Sequence, residues 1–308
     1  MTARLLGLNI GGTTCSAALG DADGAIHARS AWPAHAAAGP EAMIAQLLEH
    51  AAALQQSNAA AEAVGVAIGG PLNGRTGTIL SPPNLPGWDR IPLAQRLHEA
   101  LGLPVRVEHD AAACALAEYL WGAGQGADRL AYLTCGTGFG VGLILDGQPY
   151  YGADGLPPEI GHIAYRDDGP TAYGKRGCFE AFASASSLQR LAAWRFPQRW
   201  ADNPPSPAQI SQLAQQRDAD ALAVIALNAQ AVGDSCALLI DLLGPRRILL
   251  GSTARYLGEP WVEQVRQQAS RQVGSWTRSS YQIIAAGLGD RLQDCSALAA
   301  ARLARAGG

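Results

Sequence analysis

One local pattern occurs twice in this sequence: a strand, a glycine-rich turn, a second strand and a further tight turn. In the longer copy, the apolar run 130–134 is followed by Gly136-Thr137-Gly138-Phe139-Gly140, and then by a second apolar run at 141–146. Short apolar runs bounded by glycine predict strands. Glycine has no Cβ, so the N–H groups of such a turn can approach and bind an anion. On this stretch alone, an ordinary glycine-rich hairpin remains the alternative.

The second copy lies near the N-terminus. A strand at 5–10 leads into the turn Gly11-Gly12-Thr13-Thr14, a second strand at 15–19 and a hairpin turn at Asp23-Gly24. Dinucleotide fingerprints and P-loops place their glycines before a helix, and a P-loop also needs a lysine. Here the glycines join strand to strand and no lysine follows. Two copies predict a duplicated fold with two phosphate-binding hairpins that face a cleft.

The rest of the chain predicts alternating helices and strands. A helix that precedes a buried strand indicates a crossover onto a sheet with parallel pairs. Apolar periodicity, glycine and proline positions predict helices at 40–57, Ile91–Leu101, 206–243, 258–273 and 292–305, and strands at 64–70, 103–109, 246–253 and 281–289.

Composition excludes several classes of protein. The chain has 308 residues, of which 48% are hydrophobic and 16% charged, with a net charge of −3. These values predict a globular protein of one or two domains, with no general reason to bind nucleic acid or membranes. We expect no signal peptide and no transmembrane helix, because no apolar run approaches roughly 18 residues. Six scattered cysteines without a CxxC pair indicate reduced thiols in a cytoplasm.

Five further segments occur in a characteristic order: VGVAIGGPLN (64–73), SPPNLPGWDRIPLAQRL (81–97), VEHDAAACALAE (107–118), EIGH (159–162) and GKRGCFE (174–180). With these segments, the chain resembles the ROK family of sugar kinases from about residue 4 to 300. The resemblance implies an α/β, actin-like ATPase (ribonuclease H-like) fold. Two lobes would each carry one half of a duplicated mixed β-sheet with helices, with the ligand cleft between them. The expected lobes are residues 1–117, with a helix at about 292–308 packing back, and residues 118–291. The resemblance also suggests a homodimer.

Asp110 is the residue that the resemblance implies as the catalytic base. It would take the proton of a sugar hydroxyl as that hydroxyl attacks the γ-phosphate of ATP. Phosphoryl transfer needs little covalent help, so one carboxylate and good positioning suffice. From the residues alone, an aspartate at a helix start is more often an N-cap. One carboxylate could serve both roles.

The resemblance implies two further sets of site residues. The sugar would be bound by Gly70, Asn84, His109, Asp110, Glu159, His162 and Glu180. ATP would be bound by Gly11, Gly12, Thr13, Thr14, Gly136, Thr137 and Gly138 at its phosphates and near Gly251 and Ser252 at its adenosine. Without the resemblance, Asn84 is a turn asparagine, Glu159 and His162 are surface residues, and Gly251-Ser252 is a plain strand–helix turn.

The chain departs from the family pattern at positions that matter for chemistry. Asn9 stands where the family has an aspartate that helps to hold Mg²⁺, so we expect Mg²⁺ to enter with ATP and to be held more weakly near Asn9. His109 and Ala112 each replace an asparagine, and His109 is titratable near neutrality. A structural zinc needs four ligands, and only His162 and Cys178 remain. We therefore expect no zinc, and a loop held instead by Tyr173, Phe179 and hydrogen bonds.

The resulting expectation is ATP-dependent phosphorylation of a hexose or N-acetylhexosamine at its 6-hydroxyl. The alternative is a catalytically weakened relative that acts as a sugar- or nucleotide-binding sensor, motivated by Asn9, His109 and the incomplete zinc motif. A DNA-binding repressor is not expected, because repressors of the family carry an N-terminal helix-turn-helix and this sequence begins at the first strand. The residues do not identify the sugar.

Overall fold

A computed structural model describes residues 3–56, 60–277 and 281–307. The strands are β1 Arg4–Ile10, β2 Thr14–Asp21, β3 Ile26–Pro33, β4 Ala63–Ile68, β5 Leu72–Asn73, β6 Thr78–Leu80, β7 Asp89–Pro92, β8 Val105–His109, β9 Leu130–Leu133, β10 Val141–Leu145, β11 Gln148–Pro149, β12 Thr171–Ala172, β13 Lys175–Arg176, β14 Arg247–Leu250 and β15 Gln282–Ala285. The α-helices are α1 Gly39–Gln56, α2 Leu93–Leu101, α3 Asp110–Trp121, α4 Phe179–Ala183, α5 Ser187–Arg195, α6 Pro197–Trp200, α7 Pro207–Gln215, α8 Ala219–Leu243, α9 Ser252–Leu257, α10 Glu259–Gln272 and α11 Leu292–Gly307.

The described residues form two compact units. The first lies within Met1–Gly126, Gln148–Pro158 and Gly287–Gly308, and the second within Ala127–Gly147 and Glu159–Ala286. The chain thus leaves the first unit and returns to it twice.

The first unit contains a mixed sheet in the order β3-β2-β1-β4-β8. β1 pairs antiparallel with β2 and parallel with β4, which in turn pairs parallel with β8. Alternate side chains of β1 point to opposite faces, as a strand requires. Leu6, Leu8 and Ile10 join a core that includes Met43 and Leu47 of α1. The other face of β1 and β4 packs against α11.

Glycine makes the close approach of α11 possible. A Cβ on Gly65 in β4 would collide with the backbone of Ala297 and Ala301, and one on Gly7 in β1 would lie 2.9 Å from the Leu298 nitrogen. Any side chain at these two strand positions would therefore push the helix away from the sheet. A segment from the end of the sequence is thereby held against the first strand.

The second unit repeats this arrangement. Its strands lie in the order β10-β9-β14-β15, with β9 antiparallel to β10 and parallel to β14, and β14 parallel to β15. This order matches β2-β1-β4-β8 of the first unit, strand for strand. The predicted duplication of a hairpin plus parallel strands is confirmed, and the architecture is the α/β, actin-like ATPase fold.

Some local predictions differ from the structure. The helix predicted from Ile91 begins at Leu93, because Ile91 pairs with Ile79 in the small sheet β5-β6-β7. The pattern did not reveal α4, α5, α6 or α9, each of which has nine residues or fewer. Helices this short show too few turns for a periodic pattern. Residue 57, at the end of the first predicted helix, lies outside the described residues.

Helix α8 is a long apolar helix that the sequence analysis did not consider as a membrane span. It has 25 residues and a mean hydropathy of 1.6 over its most apolar window, which is long and apolar enough to cross a membrane. That window is 67% buried inside the protein. Helix α8 packs against α4, α5, α7 and α10 and forms the centre of the second unit's core, which accounts for its apolar composition.

Candidate active site

The first glycine hairpin joins β1 to β2 in the first unit. The Gly11 N–H donates to the Thr14 carbonyl at 3.1 Å, which closes the turn, and the Gly12, Thr13 and Thr14 side of the turn is exposed. In the described part of the chain, the N–H groups of Gly12 and Thr13 have no intramolecular acceptor. Backbone donors left open at an exposed glycine turn are suited to bind an anion. Asn84 lies against this turn, since a Cβ on Gly12 would be 3.1 Å from the Asn84 Cβ.

Asn9 is buried at the end of β1 and both halves of its amide are hydrogen-bonded to α11. Its Nδ2 donates to the Gln293 carbonyl at 3.2 Å, and the Gln293 Nε2 donates to its Oδ1 at 3.1 Å. The carboxylate nearest in sequence on α11, Asp294, accepts from Ser16 and Arg29. Asn9 retains one lone pair on Oδ1 that could accept from a water bound to Mg²⁺. It supplies no negative charge, so its fit to Mg²⁺ is through water alone.

Asp110 is the first residue of α3, directly after β8. The N-cap residue is His109, so the expectation that Asp110 caps this helix is wrong in its position. The carboxylate nevertheless satisfies a donor of the first turn, because its Oδ1 accepts from the Ala111 N–H at 2.6 Å. The Asp110 side chain is 55% exposed. Its Oδ1 is therefore held by the helix, while its Oδ2 lies near Gly69.

His109 packs between Asp110 and Gly70. Its Nδ1 lies 3.4 Å from the Asp110 Oδ1, and its side chain is only 11% exposed. A Cβ on Gly70 would be 2.8 Å from the ring Cδ2 and 3.0 Å from Nε2, so the ring edge lies against the glycine backbone. The structure therefore brings Gly70, His109 and Asp110 together in the first unit.

The second glycine hairpin joins β9 to β10 in the second unit. The Gly136 N–H donates to the Gly138 carbonyl, and the Gly140 N–H donates to the Thr134 Oγ1 at 2.9 Å. The N–H groups of Thr137 and Gly138 have no intramolecular acceptor within the residues that the structure describes. The turn thus has the same open donors as the first hairpin.

Glu180 ties this hairpin to the predicted sugar-binding cluster. Its Oε2 accepts from the Phe139 N–H at 3.0 Å. Burial raises the pKa of Glu180, the Phe139 N–H and the charges of Arg190 and His162 oppose that rise, and the charge of Glu159 adds to it. Glu159, His162 and Glu180 are therefore neighbours in the second unit. Glu159 and His162 are exposed, whereas Glu180 is buried.

Gly251 and Ser252 follow β14 and begin α9. The Gly251 N–H donates to the Leu133 carbonyl at 2.9 Å, and both the N–H and Oγ1 of Thr253 donate to the Cys135 carbonyl. A Cβ on Gly136 would be 3.6 Å from the Ser252 Oγ, so this turn lies beside the second hairpin.

A cavity of about 490 Å³ opens next to the Gly251-Ser252 turn. It is lined by Ala185, Leu188, Ser206, Pro207, Ala208, Ser211, Thr253, Tyr256 and Leu257.

The loop after His162 does not fit a structural zinc. The Cys178 thiol is buried and donates to the carbonyls of Ala172 and Lys175, and Thr171 and Tyr173 occupy the positions of the other two cysteines. Within the described residues, no group of three or more His, Cys, Asp or Glu could hold a metal.

Hydrogen bonds and aromatic packing hold this loop instead. Phe179 stacks on Tyr165 at 4.6 Å, and the Tyr165 hydroxyl donates to the Asp234 Oδ2 at 2.7 Å. Tyr173 differs from expectation, because it is 58% exposed; its ring lies 5.3 Å from that of His162. The anchoring aromatic residue is thus Tyr165.

Sequence reasoning missed several residues that support the site. Arg190 donates to the hydroxyls of Ser184 and Ser186, and Ser186 donates to the Thr137 carbonyl at 2.5 Å in the second hairpin. Gln293 holds Asn9, and Thr134 holds Gly140. No local motif marks these residues, because they act through partners between 4 and 284 positions away in the chain.

The fold and the two hairpins define an actin-like ATPase-fold carbohydrate kinase. The ROK family model matches residues 5–306, and the chain belongs to the ROK family.

Individual relatives agree with this assignment. A glucokinase from Thermotoga maritima is 29% identical over 97% of this chain and 96% of its own length. The ROK hexokinase structure from Thermus thermophilus is 30% identical, with a TM-score of 0.87, and covers 99% of this chain and 100% of that one. A ROK glucokinase from Streptomyces griseus, solved in complex with glucose and AMPPNP, is 30% identical with a TM-score of 0.81 over 98% of this chain and 100% of that one.

Proposed function

We propose that this kinase transfers the γ-phosphoryl group of ATP to the 6-hydroxyl of a hexose or N-acetylhexosamine, with Asp110 as the base. The observation that carries this proposal is that the Asp110 carboxylate is hydrogen-bonded at one oxygen and partly exposed to solvent. Its Oδ1 is engaged by the Ala111 N–H, and its side chain is 55% exposed. A base must be oriented and accessible at once, and Asp110 is both. Its Oδ2 is the oxygen left free to take the proton.

The hairpins supply the donors for the phosphates. Each presents two N–H groups without an intramolecular acceptor, at Gly12 and Thr13 in one unit and at Thr137 and Gly138 in the other. In phosphoryl transfer, catalysis is mostly positioning and electrostatic stabilisation, so donors fixed by a closed turn are what the reaction needs. The cavity beside Gly251 and Ser252 is suited to the adenosine, because its lining is largely apolar with serine and tyrosine hydroxyls.

The sugar would be held by Gly70, Asn84, His109 and Asp110 in the first unit and by Glu159, His162 and Glu180 in the second. Carboxylate, amide and imidazole groups all hydrogen-bond to hydroxyls. Glu180 is the strongest of these proposals, since its buried carboxylate has one oxygen on Phe139 and the other left to accept from the substrate. The 6-hydroxyl and the choice between a hexose and an N-acetylhexosamine are part of the proposal.

Mg²⁺ would enter with the phosphates of ATP and neutralise their charge. Asn9 would contact it through a water molecule. Because Asn9 is neutral and its amide is shared with Gln293, we expect a higher Mg²⁺ requirement than a carboxylate at this position would give.

The second candidate function is a sugar- or nucleotide-binding sensor with weakened catalysis. The specific observation in its favour is the Asn9–Gln293 pair, which places an uncharged and already engaged amide at the metal side of the first hairpin. The kinase remains the better supported function because the base and both hairpins are present.

A homodimer and a cytoplasmic location complete the proposal. In the described residues the cysteines are not joined by disulfides, which suits a reducing compartment. Leu242 and Trp276 are 70% and 84% exposed, and large exposed apolar side chains are candidates for subunit contacts. Light scattering after gel filtration would give the mass of the particle, and a mass of one chain would contradict the dimer.

The test is ADP release from Mg-ATP with glucose, mannose, fructose, allose, N-acetylglucosamine and N-acetylmannosamine. Asp110→Asn is the catalytic control, and its turnover should fall by about 10²–10⁴-fold while sugar affinity is retained. A 6-deoxy analogue of the best sugar should not be phosphorylated.

Three outcomes would separate the candidates. Turnover that depends on sugar and is lost in Asp110→Asn supports the kinase. Binding of sugar or ATP by calorimetry without turnover supports the sensor. Turnover of the 6-deoxy analogue would contradict phosphorylation at the 6-hydroxyl and leave the rest of the proposal in place.

A further inference from the structure

His109 is a buried side chain with an unusual environment. Its Nδ1 has less than 1 Å² of exposed surface and no hydrogen-bond partner among the residues that the structure describes, and the Asp110 Oδ1 lies 3.4 Å away. A buried polar atom without a partner is unfavourable, so a relaxed contact to the nearest acceptor is favoured. That nearest acceptor is the proposed base.

The tautomer of His109 follows from this neighbour. An ionised carboxylate can only accept a hydrogen bond. If the Nδ1 lone pair faced the Asp110 Oδ1, two acceptors would repel each other in a buried position. Nδ1 therefore carries a proton, and a protonation change of the ring takes place at Nε2, whose edge lies against Gly70. Histidine is the side chain whose charge ordinarily changes between pH 5 and 8.

We propose that His109 is a positioning residue that sets the pH range in which Asp110 acts as a base. Neutral His109 donates Nδ1–H to the Asp110 Oδ1 and, together with the Ala111 N–H, turns Oδ2 towards the substrate. Protonated His109 places a full positive charge beside the same carboxylate and weakens it as a proton acceptor. The turnover rate therefore falls as His109 gains its second proton. This inference rests on the proposed function.

Other charged groups near His109 already have partners of their own. On β8, Glu108 pairs with Arg106. On α2, Arg96 pairs with Glu41, His98 with the Leu103 carbonyl and Glu99 with Gln95. On α3, Glu118 accepts from the N–H groups of Ala123, Gly287 and Leu288. On α11, Asp294 accepts from Ser16 and Arg29, Arg302 donates to the Ala22 carbonyl and Arg305 pairs with Glu62. Among the described residues, Asp110 is the carboxylate within 4.0 Å of the ring.

The experiment is the pH dependence of turnover from pH 5 to 9 at saturating Mg-ATP, with the sugar identified by the panel. Wild-type turnover should fall severalfold between pH 8 and pH 5.5. In His109→Asn the amide can still donate to Asp110 but cannot gain charge. Whatever its absolute turnover, this variant should lose the acidic fall, so its ratio of turnover at pH 8 to turnover at pH 5.5 should be close to one. His109→Leu, which cannot donate, should lose turnover about tenfold at pH 8, and it also lacks the acidic fall.

Two controls keep the result interpretable. His98→Asn makes the same chemical change at an exposed histidine on α2 and should retain the wild-type profile. Thermal unfolding of each variant at both pH values shows whether the fold is intact. If His109→Leu does not fold, His109→Asn alone decides the question.

The outcomes distinguish this inference from the proposed function. Identical pH profiles in wild type and His109→Asn overturn the role of His109, even if Asp110→Asn abolishes turnover. A change only in the KM for sugar, with no change in the profile, would also overturn it and leave His109 as a sugar contact. If every variant, including Asp110→Asn, keeps sugar-dependent turnover, Asp110 is not the base.

Discussion

The two glycine hairpins share a backbone pattern but differ in what holds them. The residue two positions before the first glycine is Asn9 in one hairpin and Thr134 in the other. Asn9 is hydrogen-bonded to Gln293 in α11, whereas the Thr134 hydroxyl accepts from Gly140 within its own hairpin. The first hairpin is thus held by a distant helix, and the second largely by itself.

The hairpins differ again in their link to the proposed sugar site. The second hairpin is joined directly to Glu180 by the Phe139 N–H, and its Thr137 carbonyl accepts from Ser186. The first hairpin touches Asn84 only by packing against Gly12. The two hairpins thus present the same backbone donors, while the side chains around each turn make different contacts. In the second unit, one hydrogen bond joins the hairpin proposed to bind phosphate to a residue proposed to bind the sugar.

Among the changes that test this comparison, the largest effect is expected at that hydrogen bond. Glu180→Gln removes the charge that accepts from the Phe139 N–H and that we propose also accepts from the sugar. A hydrogen bond to a charged group contributes roughly 1.5–3 kcal/mol, so kcat/KM for the sugar should fall by about 10–10²-fold. Steady-state kinetics would measure it, with Glu263→Gln on the exposed surface of α10 as the matched control. An unchanged kcat/KM would exclude Glu180 from the site.

Alanine substitutions in the two turns should separate the hairpins. A Cβ at position 12 meets the Asn84 Cβ and carbonyl at 3.1 and 3.3 Å, whereas one at position 138 meets the end of the Glu180 side chain at 3.1 Å. Gly12→Ala should therefore raise the KM for ATP by about tenfold, because displaced phosphate donors cost catalysis. Gly138→Ala should have a smaller effect on ATP and should also raise the KM for the sugar.

The control for both variants is Gly136→Ala. The nearest side-chain atom to its Cβ would be the Ser252 Oγ at 3.6 Å, an ordinary contact. Equal losses in all three variants would show that the hairpins respond to any added methyl group and would remove the distinction drawn between them.

The units also hold their buried carboxylates differently, and this predicts a pH effect. Glu108 in β8 is fully buried, and burial raises its pKa from 4.5 to about 7 although Arg106 opposes the rise. Between these pH values the folded chain keeps a proton that the unfolded chain releases. The free energy of unfolding should therefore fall as the pH rises from about 4.5 to about 7.

Glu108→Gln cannot ionise, so this fall in the free energy of unfolding should be absent from the variant. We expect a gain of roughly 1–2 kcal/mol in the free energy of unfolding at pH 8 and little change near pH 4.5, because the wild-type carboxyl is then protonated in the folded state. Urea unfolding at both pH values would measure it, with the exposed Glu99→Gln as control. A variant that is less stable at pH 8 would show that the Arg106 ion pair outweighs the burial of the charge.

The smallest effect is expected at the hydrogen bonds between Asn9 and Gln293, which link the first hairpin to α11. Asn9→Asp adds a charge for Mg²⁺, so half-maximal turnover should need less Mg²⁺. The same change loses the donor to the Gln293 carbonyl and should lower the free energy of unfolding by about 1 kcal/mol. Gln293→Ala removes the Nε2 donor to the Asn9 Oδ1, keeps the backbone carbonyl that accepts from the Asn9 Nδ2 and adds no charge, so it should leave the Mg²⁺ requirement unchanged. If Asn9→Asp alters neither quantity, Asn9 is not near the metal.

Much of the fold could be predicted from local pattern. Both hairpins, the long helices α1, α8, α10 and α11 and the strands β4, β8, β14 and β15 occur where periodicity and glycine positions place them. The short helices α4–α6 and α9 could not be predicted, because each has nine residues or fewer and shows too few turns for a periodic pattern. The start of α2 was set by strand pairing of Ile91, which is a long-range effect.

The candidate site divides in the same way. The residue types came from motifs, so Asp110, Glu180 and the glycines were identified without coordinates. Their partners were not: the Asn9–Gln293 pair spans 284 positions, and the Glu180–Phe139 bond spans 41. A motif states which group is present, but a hydrogen bond also needs a direction, which packing decides.

The sequence by itself determined the family and the duplicated strand–turn–strand pattern, and it located the turns and the aspartate that we propose as phosphate donors and base. These follow from local backbone preferences and from short motifs, both of which are encoded in neighbouring residues. Only the tertiary structure decided that His109 occupies the N-cap position of α3 with its Nδ1 3.4 Å from the Asp110 Oδ1, that α11 holds Asn9, and that Tyr165 packs on Phe179 and donates to Asp234. The physical reason is that burial and orientation of a side chain depend on elements from distant parts of the chain that pack around it.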